Sequence, residues 1–527
     1  MHESTSFRVI FVKSSMPEEK RAMLARRSNM SQPSVIIIGG GFGGLTASAL
    51  LACHHYNVTL FEASNEWGGC AGKFTHKPHL FPVGATLGLG LQQPDGLHYR
   101  VFNYLKEPLP EHVGLETIMQ VHAPSFSLPL YSSREKHIDT LCRLFPSSAD
   151  GIRSLYRYIS RVGEELRKLI HHLPVLPMQK PADFIRSVRA LRPGILGAVR
   201  WLAASTEDVL RHYRLQDTEV HQYIDGQLLD SLQTSSRHAP ALLGLYALDL
   251  YHQGASYVYG GLYRMAEQLK EAAERHSASM QKRRRIQAVE RNSDGTWTAI
   301  DHRERRTTAD HLVLNIPVQA ALPLFHPKER NQFTRRWQTK SETPIWSTFS
   351  MYGVCEPSAP PSALFHQLLW DQNIPGISSH LFYSLSAPDD RTRAPEGERT
   401  FTVSTHTPPE FWEDLSLYEE KKSAATRALV EKIQEAGLPV QPERVLPGAP
   451  HAWERYIKRP RGMVGGFPQT RRDTFFYPLS HRSPLENVWF CGDSIFPGAS
   501  TMAVTMSGIH VFESISGQSF AAFERKQ

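Results

Sequence analysis

Ser34-Val-Ile-Ile-Ile-Gly39-Gly-Gly41-Phe-Gly-Gly44 is the stretch whose reading decides the fold. Val35 to Ile38 form a continuous β-branched run of the kind buried on both faces of a parallel sheet. The run empties directly into the spacing Gly39-x-Gly41-x-x-Gly44, and Leu45 to Leu51 continue it as a helix of small and apolar residues. In such a strand-turn-helix unit the first glycine allows the tight turn and the second lets a pyrophosphate approach the backbone. The third lets helix and strand pack closely. Phosphates would sit on the helix N-terminus, where free amides and the dipole favour negative charge. Asn57 to Phe61 read as the second strand, closing with Glu62, which lies 18 residues past Gly44. That is near the offset of about 20 at which an acid binds a ribose hydroxyl, so an adenine dinucleotide is the expected ligand. The competing reading makes Glu62 an ordinary solvated strand end.

Composition sets the frame around this unit. With 527 residues, 41% hydrophobic and 21% charged, the chain is long enough for several domains and has the make-up of a globular protein. The net charge of +7 favours contact with something anionic. Zinc-finger and RNA-recognition signatures are absent, so the sequence favours a membrane surface as that partner and no nucleic acid. The five cysteines are odd in number and scattered, which suggests neither a disulfide framework nor a metal site. The expected location is the cytoplasm, with peripheral membrane association and no bound metal. The polar residues 1–31 read as a disordered extension.

Beyond Glu62 come Gly68-Gly69, whose neighbouring amides suit a second phosphate contact, and the loop Val83-Gly84-Ala85-Thr86. Near the other end, Asn487-Val-Trp-Phe-Cys-Gly-Asp493 is a buried strand ending in Gly492-Asp493, and Phe496 to Val504 lead into a helix through Ser507-Gly508. An acid after a strand can bind a ribityl hydroxyl, and the following helix N-terminus can stabilise negative charge on a reduced flavin. In order and spacing these segments resemble the FAD-dependent amine oxidase superfamily. They look most like its phytoene desaturase branch, in particular the carotenoid 3,4-desaturases and their isomerase relatives.

The resemblance implies a set of FAD contacts: Gly39, Gly41, Gly44, Glu62, Gly68, Gly69, Gly84, Ile286, Gly492, Asp493 and Val504. Ile286 enters by resemblance alone, on a strand that passes the adenine. The chain departs from the branch where Gly69-Cys70 stands for the usual Gly-Gly-Arg, and Pro82 stands where an aspartate commonly precedes the Gly84 loop. Ser500 and Ala503 occupy positions where glycines are frequent. Lys73 either replaces the missing arginine as a phosphate partner or faces solvent.

The middle of the chain changes character. Ile152, Leu155, Ile159, Val162, Leu166 and Ile170 recur at helical spacing, with Arg153, Arg157, Arg161 and Lys168 largely off that stripe. Between Phe184 and Ala204 apolar residues alternate with Arg186, Arg189, Arg192 and Arg200 around Trp201. Two readings stay open there, a helical cap over the protein's own core or an interfacial helix whose arginines snorkel to headgroups. Lys282 to Arg285 read as a solvated charge run beside a hairpin, Ile286 to Glu290 and Thr296 to Ile300 around Asn292-Ser-Asp-Gly295. His311 to Ile316 read as a strand returning to the main sheet. In residues 321–455 only a strand at Phe401 to Thr405 and a helix from Leu417 to Ala436 stand out, and no catalytic residue is visible.

The expected fold is α/β, a Rossmann-like FAD-binding domain assembled from dispersed segments with an inserted α+β substrate domain carrying a helical lid. The expected boundaries are 32–110, 256–320 and 480–520 for the FAD-binding domain, and 111–255 with 321–479 for the substrate domain and its cap. The resemblance implies an FAD-dependent desaturase of a long apolar polyene, a carotenoid or similar lipid. A redox-neutral carotenoid isomerase comes next, then a flavin amine oxidase. A lipid-binding escort protein of the same architecture that makes no use of flavin is the reading outside enzymology.

Overall fold

A computed structural model describes residues 32–190, 193–216, 218–356 and 363–521; the expected extension at residues 1–31 lies outside the described residues. Five parallel strands form the first sheet: β1 (Ser34–Ile38), β2 (Asn57–Phe61), β3 (Ser279–Gln281), β4 (His311–Leu314) and β5 (Val488–Phe490), in the order β3-β2-β1-β4-β5. Ile36 aligns with Thr59 on one side and Leu312 on the other, while Val313 aligns with Trp489. The unbroken apolar run of β1 follows from burial on both faces. Val35 and Ile37 pack with Leu45 and Leu269, while Ile36 and Ile38 pack with Trp297 and Phe325.

Helix α1 (Phe42–Cys53) is buried over nearly its whole length, between the helices Tyr263–Arg275 and Thr501–Ser516. The close approach depends on glycine. A Cβ on Gly43 would lie 2.9 Å from the Val504 carbonyl oxygen, and one on Gly508 would lie 2.4 Å from the Gly43 carbonyl oxygen. The two ends of the chain therefore meet backbone to backbone.

A three-stranded antiparallel sheet, Ile286–Arg291, Trp297–Asp301 and Arg306–Ala309, flanks this unit and turns at Gly295 with φ of 85°. In the basic run before it Lys282, Arg283 and Arg285 are exposed, as expected, and only Arg284 turns inward. Arg284 and Arg305 both pair with Asp301 at 2.8 Å, and the Arg303 and Arg305 backbone amides donate to the same carboxylate at 2.8 and 3.0 Å. Burial opposes ionisation of Asp301, but these donors outweigh it and hold the carboxyl well below its ordinary range. The native pKa is depressed, so the cluster's contribution is complete above the unfolded value near pH ~4 and is lost as acid protonates the group. Asp301→Ala is expected to cost about 3 kcal/mol in urea unfolding at neutral pH. The deficit should shrink in more acidic buffer.

The second sheet has seven strands in the order Val445–Gly448, Ser347–Cys355, Arg399–Thr407, His380–Leu385, Phe365–Leu369, Thr117–His122 and Ser127–Tyr131. All neighbours are antiparallel except Phe365–Leu369 with Thr117–His122. One face is apolar, with Phe349, Met351, Leu381 and Val403 packed against Leu429 and Ile433 of the helix Tyr418–Glu435. Thr348, His380, Phe382, Ser404 and His406 instead line a cavity. The helices Ala149–His171, Glu219–Leu232 and Ala241–Leu250 close over it, with Ile152, Leu155, Ile159 and Val162 buried as the spacing predicts.

The segment Phe184 to Ala204 departs from a simple amphipathic cap. It forms a helix at Pro181–Ala190 and a 3-10 segment at Pro193–Trp201. The first helix is turned inside out. Asp183 is buried, where Arg482 grips it with two bonds of 2.7 and 3.1 Å, and Arg186 pairs inward with Glu513 at 2.7 Å. Phe184, Ile185 and Val188 consequently face outward, with Phe184 59% exposed. Burying the ion pairs has displaced the apolar side chains to the surface.

Candidate active site

A cavity of about 1480 Å3 is lined by the first glycine turn, the C-terminal motif, the second sheet and its covering helices. Gly39, Gly41, Glu62, Gly68, Gly69, Gly84, Ile286, Gly492, Asp493 and Val504 all border it. Gly44 stands behind that wall, where a Cβ would come within 2.3 Å of the Gly39 carbonyl oxygen, so its place is in the packing of α1 against the turn.

The turn is held from outside as well as by its own glycines. Gly39 has φ of 108°. The Asn315 amide, at the end of β4, donates to the carbonyl oxygens of Gly39 and Gly41 at 3.0 and 3.3 Å. Helix α1 has neither a side-chain cap nor an acid in its first turn, which leaves its N-terminal amides to a ligand. Glu62 accepts from the Gly40 amide on one oxygen and from the Ser64 amide on the other, each at 2.6 Å. Each carboxylate oxygen keeps a second lone pair, and Glu62 is a buried, anchored group rather than a solvated strand end.

The C-terminal motif meets this turn at Gly43, beside the Val504 carbonyl and the Gly492 amide, and its acid is held by an arginine that sequence reading missed. Arg459 donates to Asp493 Oδ2 at 2.6 Å and to the Met463 carbonyl, with both side chains mostly buried. Cys70 lies within reach of its charge: burial pushes the thiol pKa up while Arg459 pulls it down. A cation from the loop at residues 458–462 therefore stands beside the position where the related branch carries its arginine. Lys73 does not take that place, nor is it free in solvent: it pairs with Glu267 at 2.6 Å and lies 4.0 Å above the Tyr263 ring. The only local signal for Arg459 was a basic stretch before Pro460.

Ser500 explains one departure from the expected glycines. It adopts φ of 97°, a conformation that favours glycine, and its hydroxyl accepts from the Ala503 amide at 3.1 Å to cap the helix Thr501–Ser516. The cysteines are free thiols. Among the described residues no group of three or more His, Cys, Asp or Glu side chains is placed to hold a metal.

The pattern characteristic of flavin containing amine oxidoreductases matches residues 42–511. The chain belongs to that family. It is 23% identical to a 4,4'-diaponeurosporene oxygenase of Staphylococcus haemolyticus, over 92% of this chain and 98% of that protein. It is 22% identical to the chloroplastic prolycopene isomerase of Arabidopsis thaliana, over 90% of this chain and 81% of that protein. Among solved structures, an oxidoreductase from Methanosarcina mazei superposes with a TM-score of 0.60 at 14% identity, over 91% of this chain and all of that one.

The protein is thus an FAD-dependent oxidoreductase with an α/β FAD-binding fold. The residues present fit the cofactor. The glycines of the cradle would let phosphates approach the backbone where a Cβ would clash, Glu62 would have acceptor capacity for a ribose, and Asp493 would have an oxygen for a ribityl hydroxyl. Bound FAD supplies two-electron chemistry that amino-acid side chains lack. The chain's own task is to hold it, orient the substrate and exclude water.

Proposed function

We propose that the protein desaturates a long apolar polyene of the carotenoid type, with isomerisation of such a polyene as the second reading. The observation that carries this is one continuous cavity, which joins the dinucleotide cradle to a chamber walled by Leu166, Leu169, Leu242, Leu243, Ala247 and Leu250. A conjugated chain delocalises the charge left by hydride loss, so the reaction asks little acid-base work of the protein. The relatives act on molecules of this kind by their names, one an oxygenase and one an isomerase. The glycine cradle and Asp493 weigh against an escort protein that makes no use of flavin.

Expression in cells that accumulate a coloured acyclic carotene tests the reading. A red-shifted pigment spectrum means added double bonds; unchanged conjugation with altered cis content means isomerisation. No change with several precursors would sink both. Peroxide release on adding simple amines would instead favour an amine oxidase.

The mouth of the cavity supports peripheral membrane docking from the cytoplasmic side. Met178 and Leu202 line the cavity and are 46% and 53% exposed, beside the outward-facing Phe184, Ile185 and Val188. Such a rim lets an apolar substrate pass from a bilayer without crossing water. No helix among the described residues is long and apolar enough to cross a membrane. Phe184→Glu with Ile185→Glu is expected to reduce flotation with anionic liposomes by roughly 10-fold or more, given about 1.5 kcal/mol or more for each large apolar side chain buried. Equal flotation of the variant and the unaltered protein would remove this part of the reading.

A further inference from the structure

The chamber that should hold a hydrocarbon is not apolar throughout. Asp230, on the last turn of the helix Glu219–Leu232, borders the cavity opposite His380 and His406 of the second sheet. The Asp230 carboxylate is held rigidly on one side: Gln367 Nε2 donates to Oδ2, and the Gln367 amide is itself fixed by the Gly226 carbonyl at 2.8 Å and by Gln227 at 2.9 Å. The other oxygen is underused. The nearest cation-capable group to Oδ1 is His380 Nε2 at 3.5 Å, longer than a good hydrogen bond. His380 is turned by Ser378 Oγ, 2.9 Å from Nδ1, and meets His406 edge-on at 5.1 Å.

A pure hydrocarbon lying against this wall would strand Asp230 and both imidazoles without water, which is costly for buried polar groups. We propose that Asp230, with His380 and His406, forms a subsite for a neutral oxygen function, a hydroxyl or a carbonyl, carried by an otherwise apolar chain. The inference rests on the polyene reading above and narrows it to oxygenated polyenes. The charge state agrees. Burial raises the Asp230 pKa to about 7, so near neutrality the group can accept from a hydroxyl as a carboxylate or donate to a carbonyl as an acid. Burial, aided by His406, lowers His380 to about 3, and burial lowers His406 to about 4, so neither offers the positive charge a carboxylate ligand would need. An ammonium site would keep its acid ionised, which burial here opposes.

The test uses the flavin-loaded full chain and three polyenes of equal length presented in detergent micelles: the hydrocarbon, its terminal alcohol and its terminal aldehyde. Binding is read from the shift of the polyene absorption, so turnover is not required. The unaltered protein should bind the alcohol and aldehyde roughly 10- to 100-fold more tightly than the hydrocarbon, the range expected for hydrogen bonds to a charged group. In Asp230→Leu that ratio should fall to near one as hydrocarbon binding improves, and Asp230→Asn should keep part of it. Flavin content of each variant reports on folding, and the ratio in the unaltered protein needs no variant at all. Equal affinity for the three ligands, or equal weakening of all three in Asp230→Leu, overturns the subsite while leaving the polyene reading intact. Binding of none of the three overturns the polyene reading and the subsite with it.

Discussion

Gly39→Val is expected to yield protein without flavin. Gly39 directly follows β1 at φ of 108°, and a Cβ there would lie 2.4 Å from the Asn315 carbonyl oxygen and 2.9 Å from Ile316 Cγ2. The first of these is backbone on the neighbouring strand's end, so the clash cannot be relieved by rotating a side chain. The left-handed conformation alone costs on the order of 1–3 kcal/mol for a residue with a side chain, and valine is branched at Cβ. The chain's cheapest escape is to move the turn, which also releases the two bonds from the Asn315 side chain that aim it. A cofactor gripped by several backbone amides at once loses all of them together. Affinity should fall by roughly 100-fold or more, equivalent to about 3 kcal/mol. The visible flavin absorption of the purified protein, and its recovery on titration with FAD, measure the loss. Normal flavin content in Gly39→Val would show that the cofactor is held elsewhere.

This turn was legible because its chemistry is local. The run Val35–Ile38, the glycine spacing and Glu62 lie within one strand-turn-helix-strand unit, so sequence order and spatial order coincide. β4 was also readable, although it closes at Leu314 rather than Ile316, because its apolar run is long enough to signal a buried strand. β3 was not: Ser279-Met-Gln281 has no pattern, and it joins the sheet by pairing with β2 at the edge. Of the second sheet only Phe401 to Thr405, within the strand Arg399–Thr407, was legible, and the rest hid for a different reason. Its long strand Ser347–Cys355 places Phe349 and Met351 in the core and Thr348 towards the cavity, so a fully buried strand carries hydroxyls where burial predicts carbon. A wall built for a ligand does not read as a core. The inverted helix Pro181–Ala190 misleads in the opposite sense, since its charges are satisfied by Arg482 and Glu513, distant in sequence, while its phenylalanine faces out. Asn315 and Arg459 belong to the same class: each serves the site through a partner that only folding supplies.

Arg459 yields the second large effect. In Arg459→Met, Asp493 would remain in the cavity with its main counter-charge gone, and breaking one side of a buried pair costs about 3–5 kcal/mol. Flavin content and thermal stability should both drop. Arg459→Lys should recover only part, because a lysine cannot hold Asp493 and the Met463 carbonyl together in the planar fork that Arg459 uses. The informative variant is Cys70→Arg combined with Arg459→Met. Cys70 lies within electrostatic reach of both Arg459 and Asp493 and follows Gly69 directly, so an arginine there returns a positive charge to the neighbourhood of Asp493. Flavin content should rise again in the double variant, while Cys70→Arg alone should lower it by setting two cations against one another. If the double variant is no better than Arg459→Met, the two positions are not exchangeable, and Arg459 acts by supporting the loop at residues 458–466 rather than by its charge in the cofactor cavity.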